Sequence, residues 1–260
     1  MGTKVRCYII NLDRDTERWH FIETQVKALG LSYSRIPGIL GSSLSDAECE
    51  YHYDASTVRL TTAEIGCLKS HMLAWKCIAE AEEPLGLVME DDIHMSPRLP
   101  TLLEQFDADT DQLEIIRFEA FPETIDVLRR REFSIGPYCG HELNKGHSGT
   151  AAYLVNKITA KTLLQRCKDA KTPVDHAMFN RSVGYNGGVR IIQLIPAPCI
   201  QDDCVVGHLK KNFLSTISDR LTYEKRRESI LKDFLRPAYR SLVSILLIKH
   251  GIKRTHARFM

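Results

Sequence analysis

The chain has 260 residues, of which 43% are apolar and 26% are charged. These values are typical of a globular domain, and they exclude an intrinsically disordered or membrane-embedded protein. The sequence opens without the apolar stretch of a signal peptide, and the apolar run at 242–248 is shorter than a membrane-spanning helix, so we expect a cytoplasmic protein.

The net charge of +2 is unevenly distributed along the chain. Residues 205–260 contain 13 Lys and Arg against 4 Asp and Glu, whereas residues 1–204 contain 22 basic and 29 acidic residues. This step predicts a main domain over 1–204 and a basic helical segment over 205–260. The eight cysteines show no CxxC spacing, and we expect them to be buried, reduced thiols.

Apolar periodicity predicts strands and helices that alternate along the main domain. The predicted strands cover 5–10, 31–36, 85–89, 113–118, 150–155 and 189–195. The predicted helices cover 15–29, 157–168 and 175–183, three more begin at Ser45, Thr61 and Ser96, and 119–147 is predicted to form a loop and a hairpin. Such alternation favours an α/β protein with an open sheet flanked by helices.

Three consecutive acids, Glu90, Asp91 and Asp92, follow the strand predicted at 85–89. In open α/β sheets, ligands bind in the crevice at the carboxyl ends of the strands. Three carboxylates in such a crevice repel one another unless a cation lies between them, and Mg²⁺ or Mn²⁺ bridging carboxylates to phosphates would remove that repulsion. The alternative is a solvated acidic turn that caps the next helix.

Two polar residues follow the first predicted strand at a place where a nucleotide would approach the same crevice. They are Asn11 and Arg14. A guanidinium group there could hold a base or a phosphate. The alternative is a surface arginine that pairs with Asp13 or Glu17.

Six blocks of the sequence stand in a recognisable order: 8–14 (YIINLDR) with Glu17 and Arg18, 63–71 (AEIGCLKSH) with Trp75, 88–92 (VMEDD), 149–155 (GTAAYLV), 173–175 (PVD) and 198–201 (PCIQ). This series resembles the blocks of the glycosyltransferase family 25 proteins of lipooligosaccharide biosynthesis. The resemblance covers about 5–205 and leaves the basic segment outside.

The resemblance implies a GT-A-like fold, an open mixed sheet flanked by helices, to which the basic helical segment is a C-terminal appendage. It implies a UDP-sugar donor (commonly UDP-galactose), Mn²⁺ (or Mg²⁺), and inverting transfer to a lipooligosaccharide or other surface-glycan acceptor. It also makes 90–92 the metal and donor motif. Because this motif is EDD and not Asp-x-Asp, we favour Asp92 as the metal ligand, keep Glu90 as a second candidate ligand, and expect Glu90 or Asp91 nearer the donor.

Inverting transfer requires a base that accepts the proton of the attacking hydroxyl. Asp175 is the candidate, since it begins a predicted helix at a place that resembles the base position of many inverting GT-A enzymes. A helix N-terminus also favours an ionised carboxylate. The alternative is a simple N-cap aspartate, and His176 beside it is a second candidate for the base.

Two pairs of residues in the blocks have roles that the resemblance implies. Gly149 and Thr150 could place backbone N–H groups near the sugar of the donor, or could simply begin a strand. Glu64 and His71 lie on one face of a predicted helix, and a role near donor or acceptor is implied for both. The alternative for this second pair is a helix-capping glutamate and a hydrogen-bonded core histidine.

Two residues beyond the last predicted strand complete the candidate site. Gln201 belongs to the last block, as an acceptor contact or a structural residue. His208 lies in the region from which GT-A enzymes often supply a final metal ligand. The alternative for His208 is a solvated loop.

The basic segment has a helical pattern at 221–240 and an apolar, helical stretch at 239–248. A basic helix with an apolar face suits adsorption to anionic lipids, at about 1 kcal/mol per basic residue. It would hold the protein at the cytoplasmic face of the inner membrane, beside glycolipid acceptors. The alternative is a helix packed on the main domain, and we expect no nucleic-acid partner because no recognition motif accompanies the charge.

Two other functions stay open at this point. The acids would also suit a metal-dependent nucleotidyl- or phosphotransferase, although the sequence has no Gly-rich phosphate loop. The third hypothesis is a non-catalytic nucleotide-sugar-binding module, against which the intact 90–92 and 173–175 blocks argue.

Overall fold

A computed structural model describes residues 4–54, 59–106, 114–180, 185–213 and 251–260. Its helices are α1 Thr16–Ala28, α2 Asp46–Tyr51, α3 Thr62–Glu80, α4 Leu99–Leu103, α5 Lys157–Cys167 and α6 Val174–Phe179. Its strands are β1 Val5–Asn11, β2 Tyr33–Pro37, β3 Leu85–Glu90, β4 Ile93–Met95, β5 Glu114–Arg117, β6 Ile125–Leu128, β7 Phe133–Ile135, β8 Tyr138–Glu142, β9 Ala152–Asn156, β10 Arg190–Ile195, β11 Cys199–Gln201 and β12 Ile252–Thr255.

Eight of these strands form one mixed sheet in the order β2-β1-β3-β9-β5-β10-β8-β7. β1 is parallel to both β2 and β3, and β9 is antiparallel to both β3 and β5. β10 is parallel to β5, and the β7–β8 hairpin forms the far edge. Two antiparallel pairs, β4–β11 and β6–β12, form small separate sheets. The expected open mixed sheet is therefore confirmed.

Helices cover both faces of the sheet, and the central strands contribute to a hydrophobic cluster on each face. On β3, Val88 joins the cluster that contains residues of α3, α5 and α6, whereas Leu87 and Met89 join the cluster that contains residues of α1 and α4. A strand buried on both faces is apolar at nearly every position. This explains why 85–89 reads as a continuous apolar run.

Both capping boxes expected from the sequence are present. Ser45 accepts a hydrogen bond from the backbone N–H of Glu48 at the start of α2, and Thr61 accepts one from Glu64 at the start of α3. In each case the glutamate side chain accepts the N-cap backbone N–H in return, so two otherwise unpaired donors are satisfied at each helix start.

Three expectations from the sequence are wrong. The helix expected from Ser96 begins at Leu99, because the backbone N–H of Ser96 extends the pairing of β4 by donating to the carbonyl of Pro198, and a turn precedes the helix. The loop expected over 119–147 contains β6 as well as the β7–β8 hairpin, since β6 pairs with β12. All eight cysteines are free, but only Cys7, Cys167 and Cys199 are buried, four are partly buried, and Cys77 is exposed. It lies two residues, about 200°, around α3 from the buried Trp75.

The last ten residues return to the main body of the protein. β12 pairs with β6, Ala257 is fully buried, and the backbone of Met260 donates to the carbonyl of Ala197. The helical patterns at 221–240 and 239–248 lie outside the described residues. In the part of the chain that is described, no helix has both the length and the apolar character needed to cross a lipid bilayer.

Candidate active site

A cavity of about 320 Å³ opens where β1 and β3 end. The two strands are parallel, with Ile10 beside Glu90, so the residues that follow them emerge at the same edge of the sheet. Its polar lining includes Asn11, Arg14, Arg18, His71, Glu90 and Asp91. The size is within the range of small-molecule binding sites, and the position is the one expected for a ligand crevice in an open α/β sheet.

The acidic residues are held by a cation from α1. One guanidinium nitrogen of Arg18, Nη2, lies 2.5 Å from Asp91 Oδ1 and 2.9 Å from Asp92 Oδ2. Asp92 does not line the cavity itself, but it contacts the cavity through Arg18. These residues do not form the alternative structure, a solvated acidic turn, because Asp91 is 5% exposed and the side chain of Asp92 is 14% exposed.

Burial changes the acidity of the three carboxyl groups in different ways. It raises the pKa of Asp91 to about 6, and burial together with the charge of Glu90 raises the pKa of Asp92 to about 7. Burial also opposes ionisation of Glu90, but the neighbouring His71 and the charge of Arg18 outweigh it and hold the pKa of Glu90 below its usual value. One arginine therefore does not fully compensate three acids.

Asp92 carries the feature that best fits a divalent cation. Its Oδ1 is buried and has no hydrogen-bond partner among the described residues. A buried carboxylate oxygen without a donor is costly, and a cation would satisfy it. The neighbouring carboxylates supply further oxygen atoms, which are the ligands that Mn²⁺ and Mg²⁺ prefer. The chemistry of these oxygen atoms therefore fits the ion that the family resemblance implies, whereas the three carboxylates do not bring their oxygen atoms within 4.8 Å of one another in this structure.

A second group of metal-ligand atoms also lines the cavity. Cys67, His71 and Glu90 each place one ligand atom within 4.8 Å of the other two, and no other three described residues do so. A thiol and an imidazole would suit a softer ion such as Zn²⁺ better than Mn²⁺. Burial raises the pKa of the Cys67 thiol well above 9, so this group is protonated at neutral pH.

The segment that enters β9 connects the acidic motif to Asp175. The hydroxyl of Thr150 donates to Glu90 Oε1 at 3.2 Å, and the backbone N–H of Gly149 donates to Asp175 Oδ2 at 3.3 Å. Two consecutive residues thus hold the candidate base and the first acid of the motif. Asp175 is not the N-cap of α6, which is Pro173, and its other oxygen accepts the backbone N–H of His176 at 2.7 Å.

A buried contact that no sequence pattern revealed, 3.7 Å between Arg117 Nη2 and Glu119 Oε2, supports this segment. Arg117 ends β5 and Glu119 follows it, and both are 1% exposed. Arg117 donates to the carbonyl oxygens of Ser148 and Gly149, and Glu119 accepts the backbone N–H of Ala151. Burial raises the pKa of Glu119 to about 8. The rule that drew attention to 90–92, an acid directly after a buried strand, would also have identified Glu119.

The remaining candidate residues on this side of the sheet have structural partners. The side chain of Asn11 donates to Asp91 Oδ2 at 2.6 Å and accepts from Arg35, so it orients the acidic motif. Arg14 lines the cavity, is about half exposed, and lies 3.6 Å from Asp15, not from either of the partners expected for it.

The residues expected from the later blocks lie in different surroundings. Glu64 caps α3, as its structural alternative predicted. Gln201 ends β11, pairs with Ile93, and its side chain lowers the pKa of Asp92 by a hydrogen bond. His176 and His208 are exposed, and neither belongs to a described group of three metal-ligand atoms.

Comparison with known proteins identifies a family profile and several related sequences that agree with one another. The profile of glycosyltransferase family 25 (LPS biosynthesis protein) matches residues 5–178. The lipooligosaccharide biosynthesis protein lex-1 of Haemophilus influenzae is 32% identical over 55% of this chain, which spans about half (50%) of that relative's length. A second Haemophilus influenzae protein, named "Putative glycosyltransferase", is 25% identical over 86% of this chain and 80% of its own length.

Among solved structures, a glycosyltransferase involved in the glycosylation of the major capsid of PBCV-1 overlaps 78% of this chain and 94% of its own. The TM-score is 0.42 and the sequence identity is 9%.

Proposed function

The chain belongs to glycosyltransferase family 25, and from this premise we propose that it transfers a hexose, galactose in the first instance, from a UDP-sugar to a lipooligosaccharide or other surface-glycan acceptor, with inversion at the anomeric carbon. One observation carries the proposal. Two of three consecutive acids, Glu90 and Asp91, line one cavity with Asn11, Arg14 and Arg18 at the carboxyl ends of two parallel strands, and Arg18 bridges Asp91 to the third acid, Asp92.

The charges in this cavity suit a nucleoside diphosphate as the leaving group. The bond between the sugar and the diphosphate breaks during transfer, so negative charge develops on the diphosphate. Arg14 and Arg18 line the cavity and can stabilise this charge by direct contact. Glu90 and Asp91 line the same cavity and can accept hydrogen bonds from hydroxyl groups of the donor.

Asp92, with Glu90 as a second ligand, would hold Mn²⁺ or Mg²⁺ in this proposal. The ion would supply positive charge to the two phosphates as the glycosidic bond breaks. The unsatisfied Oδ1 of Asp92 supports this assignment, as do the raised pKa values of Asp91 and Asp92. Arg18, which bridges these two aspartates, would share them with the ion or move toward the diphosphate.

Asp175 is the proposed base. It accepts the proton of the acceptor hydroxyl while the hydroxyl oxygen bonds to the anomeric carbon and the diphosphate leaves from the opposite side. The backbone N–H of Gly149 fixes one carboxylate oxygen of Asp175, and the adjacent Thr150 contacts Glu90, so the base lies beside the donor motif. The positive charge of Arg117 also attracts the carboxylate of Asp175.

The acceptor is proposed to be lipid-linked. The basic composition of 205–260 supports contact with an anionic membrane surface at the cytoplasmic face of the inner membrane. This contact would bring the cavity close to glycolipid substrates.

A nucleotide-release screen tests the proposal. UDP-, GDP- and CMP-sugars are offered with and without Mn²⁺, together with detergent-dispersed glycolipid acceptors, and we expect acceptor-dependent release of UDP from UDP-galactose. Asp175→Asn keeps an oxygen for the Gly149 N–H but cannot accept a proton, so kcat should fall by about 10²- to 10⁴-fold with little change in donor KM.

Asp46→Asn, an exposed acid in the first turn of α2, is the matched control and should retain wild-type turnover. Release of pyrophosphate in place of UDP would identify a nucleotidyltransferase. Donor binding without turnover under every condition would identify a binding module, and either result would contradict the proposal.

A further inference from the structure

A buried hydrogen-bonded chain leads from the core to Glu90. The indole N–H of Trp75 donates to the hydroxyl of Tyr153 at 2.7 Å, and the same hydroxyl lies 2.8 Å from His71 Nδ1. Trp75 and Tyr153 are fully buried, and His71 is 1% exposed. Trp75 and His71 lie one turn apart on α3, whereas Tyr153 belongs to β9, so the chain joins a helix to the central sheet.

The chemistry of these three side chains fixes where the imidazole proton lies. The indole nitrogen can only donate, so an oxygen lone pair of Tyr153 accepts its proton. Burial raises the pKa of Tyr153 well above 10, and its hydroxyl therefore keeps a proton of its own. Among the contacts described for this hydroxyl, His71 Nδ1 is the acceptor that remains. A neutral imidazole that accepts at Nδ1 carries its proton at Nε2.

We infer that Trp75, Tyr153 and His71 act together to position Glu90, with His71 Nε2–H as the donor aimed at Glu90 Oε1. These two atoms are 3.6 Å apart, and Nε2 is buried without a hydrogen-bond partner in the described part of the chain. The hydroxyl of Thr150 donates to the same carboxylate oxygen at 3.2 Å. Glu90 Oε1 is thus held from two directions, and Oε2 is left to bind a ligand hydroxyl or the proposed metal ion.

The same tautomer decides between two uses of His71. A metal ion bound by Cys67, His71 and Glu90 would need the lone pair of Nε2, which the proton occupies. His71 is therefore a positioning residue, and not a metal ligand, in this state. The inference rests on the proposed function only in taking a nucleotide-sugar as the ligand of Glu90.

The tautomer can be measured without any substrate. Long-range ¹H–¹⁵N correlation spectra of the protein, assigned by comparison with a His71→Gln variant, should show a protonated Nε2 and an unprotonated Nδ1 for His71. Tyr153→Phe removes the hydroxyl that donates to Nδ1, whereas Glu90 still accepts from Nε2–H, so the ¹⁵N resonance of Nδ1 should shift to that of a nitrogen without a hydrogen bond. An Nδ1–H tautomer in the wild type, or an unchanged Nδ1 resonance in Tyr153→Phe, would overturn the inference.

A double-mutant cycle tests whether His71 acts through Glu90. Calorimetric titration with UDP-galactose and Mn²⁺ should show about tenfold weaker binding in His71→Leu. His71→Gln, whose amide can donate from nearly the same place, should remain within about threefold of the wild type. In a Glu90→Gln background, His71→Leu should weaken binding by less than about twofold, because its target has lost its charge.

The control is His52→Leu, a buried histidine that bonds the carbonyl of Ala170 away from the cavity and should not change the affinity. A tenfold loss of similar size in both backgrounds would show that His71 does not act through Glu90. If the wild type binds no nucleotide-sugar at all, the proposed function fails, and the tautomer spectra still decide the hydrogen-bonded chain independently.

Discussion

Binding of Mn²⁺ should depend steeply on pH, because Asp92, the first ligand proposed for it, and the neighbouring Asp91, which contacts the same Arg18 nitrogen, keep protons in the metal-free protein. The pKa of Asp92 is raised to about 7 and that of Asp91 to about 6, chiefly by burial. A cation must displace these protons, so its apparent affinity falls as pH falls below 7. The loss is about tenfold per pH unit for one proton and about a hundredfold per unit for two.

These values set the expected size of the effect. Relative to pH 8, Asp92 contributes about a tenfold loss at pH 6 and Asp91 about twofold, so Mn²⁺ should bind about 20-fold more weakly. At pH 5 the two contributions are about 100-fold and about tenfold, or about 1,000-fold together. The assay is calorimetric or electron-spin-resonance titration of Mn²⁺ at constant ionic strength.

Asp92→Asn should weaken Mn²⁺ binding by about 100-fold and remove most of the pH dependence between 6 and 8. Asp203→Asn, an exposed acid on the neighbouring loop, is the control and should bind like the wild type. A Kd that is constant between pH 6 and 8, or an Asp92→Asn variant that binds Mn²⁺ normally, would refute the reasoning.

Three further predictions concern the residues that support the site. The folded protein keeps Glu119 protonated up to a pKa of about 8, so its stability falls as pH rises from about 4.5 to 8. The free energy of unfolding of Glu119→Gln, measured by denaturant titration, should therefore rise by on the order of 3 kcal/mol relative to that of the wild type between pH 5 and pH 8. An equal effect of the substitution at both pH values would contradict this. Gly149 has φ +86°, and a Cβ added there would lie 2.4 Å from Phe121 Cζ, whereas Gly188 has φ +82° and a Cβ added there would have no atom within 4 Å. Gly149→Ala should therefore lower the free energy of unfolding by about 2 kcal/mol more than Gly188→Ala. Thermal unfolding compares the two, and equal losses would mean that backbone strain alone decides. Asp202 accepts hydrogen bonds from His94 and from the backbone N–H groups of Lys211 and Phe213, and these bonds help to hold its pKa below the usual value despite burial. Ionised Asp202 therefore stabilises the folded protein above about pH 4, and this stabilisation is lost as the pH falls below that. Asp202→Asn should cost about 1.5 to 3 kcal/mol at pH 7 and less at pH 3, and the same cost at both would contradict this assignment.

Patterns that depend on a single element could be read from the sequence. The apolar run 85–89 identified a buried strand, and the acids after it identified the cavity edge, because strand ends and ligand crevices coincide in this class of fold. The capping boxes at Ser45 and Thr61 located two helix starts for the same local reason. None of these inferences required knowledge of which strands are neighbours.

Features that depend on pairing between distant segments could not be read in this way. β4 and β11 are three-residue strands that exist because they pair with each other across a large separation in sequence. Arg18 was part of a recognised block, yet nothing in a helical pattern shows that its guanidinium bridges Asp91 and Asp92. The contact of Thr150 with Glu90 likewise follows from the antiparallel pairing of β9 with β3.

The pairing of β12 with β6 has a practical consequence for work on the basic segment. Residues 251–260 are attached to the main body at one end of 214–250, and residues up to Phe213 are attached at the other through Asp202. A stop codon after Phe213 would remove the basic charge. It would also remove β12, which pairs with β6, and Ala257, which packs in the hydrophobic core. Loss of membrane contact in such a truncation would therefore be confounded with damage to the fold. Replacing 214–250 by a neutral linker, with the last ten residues kept, separates the two effects.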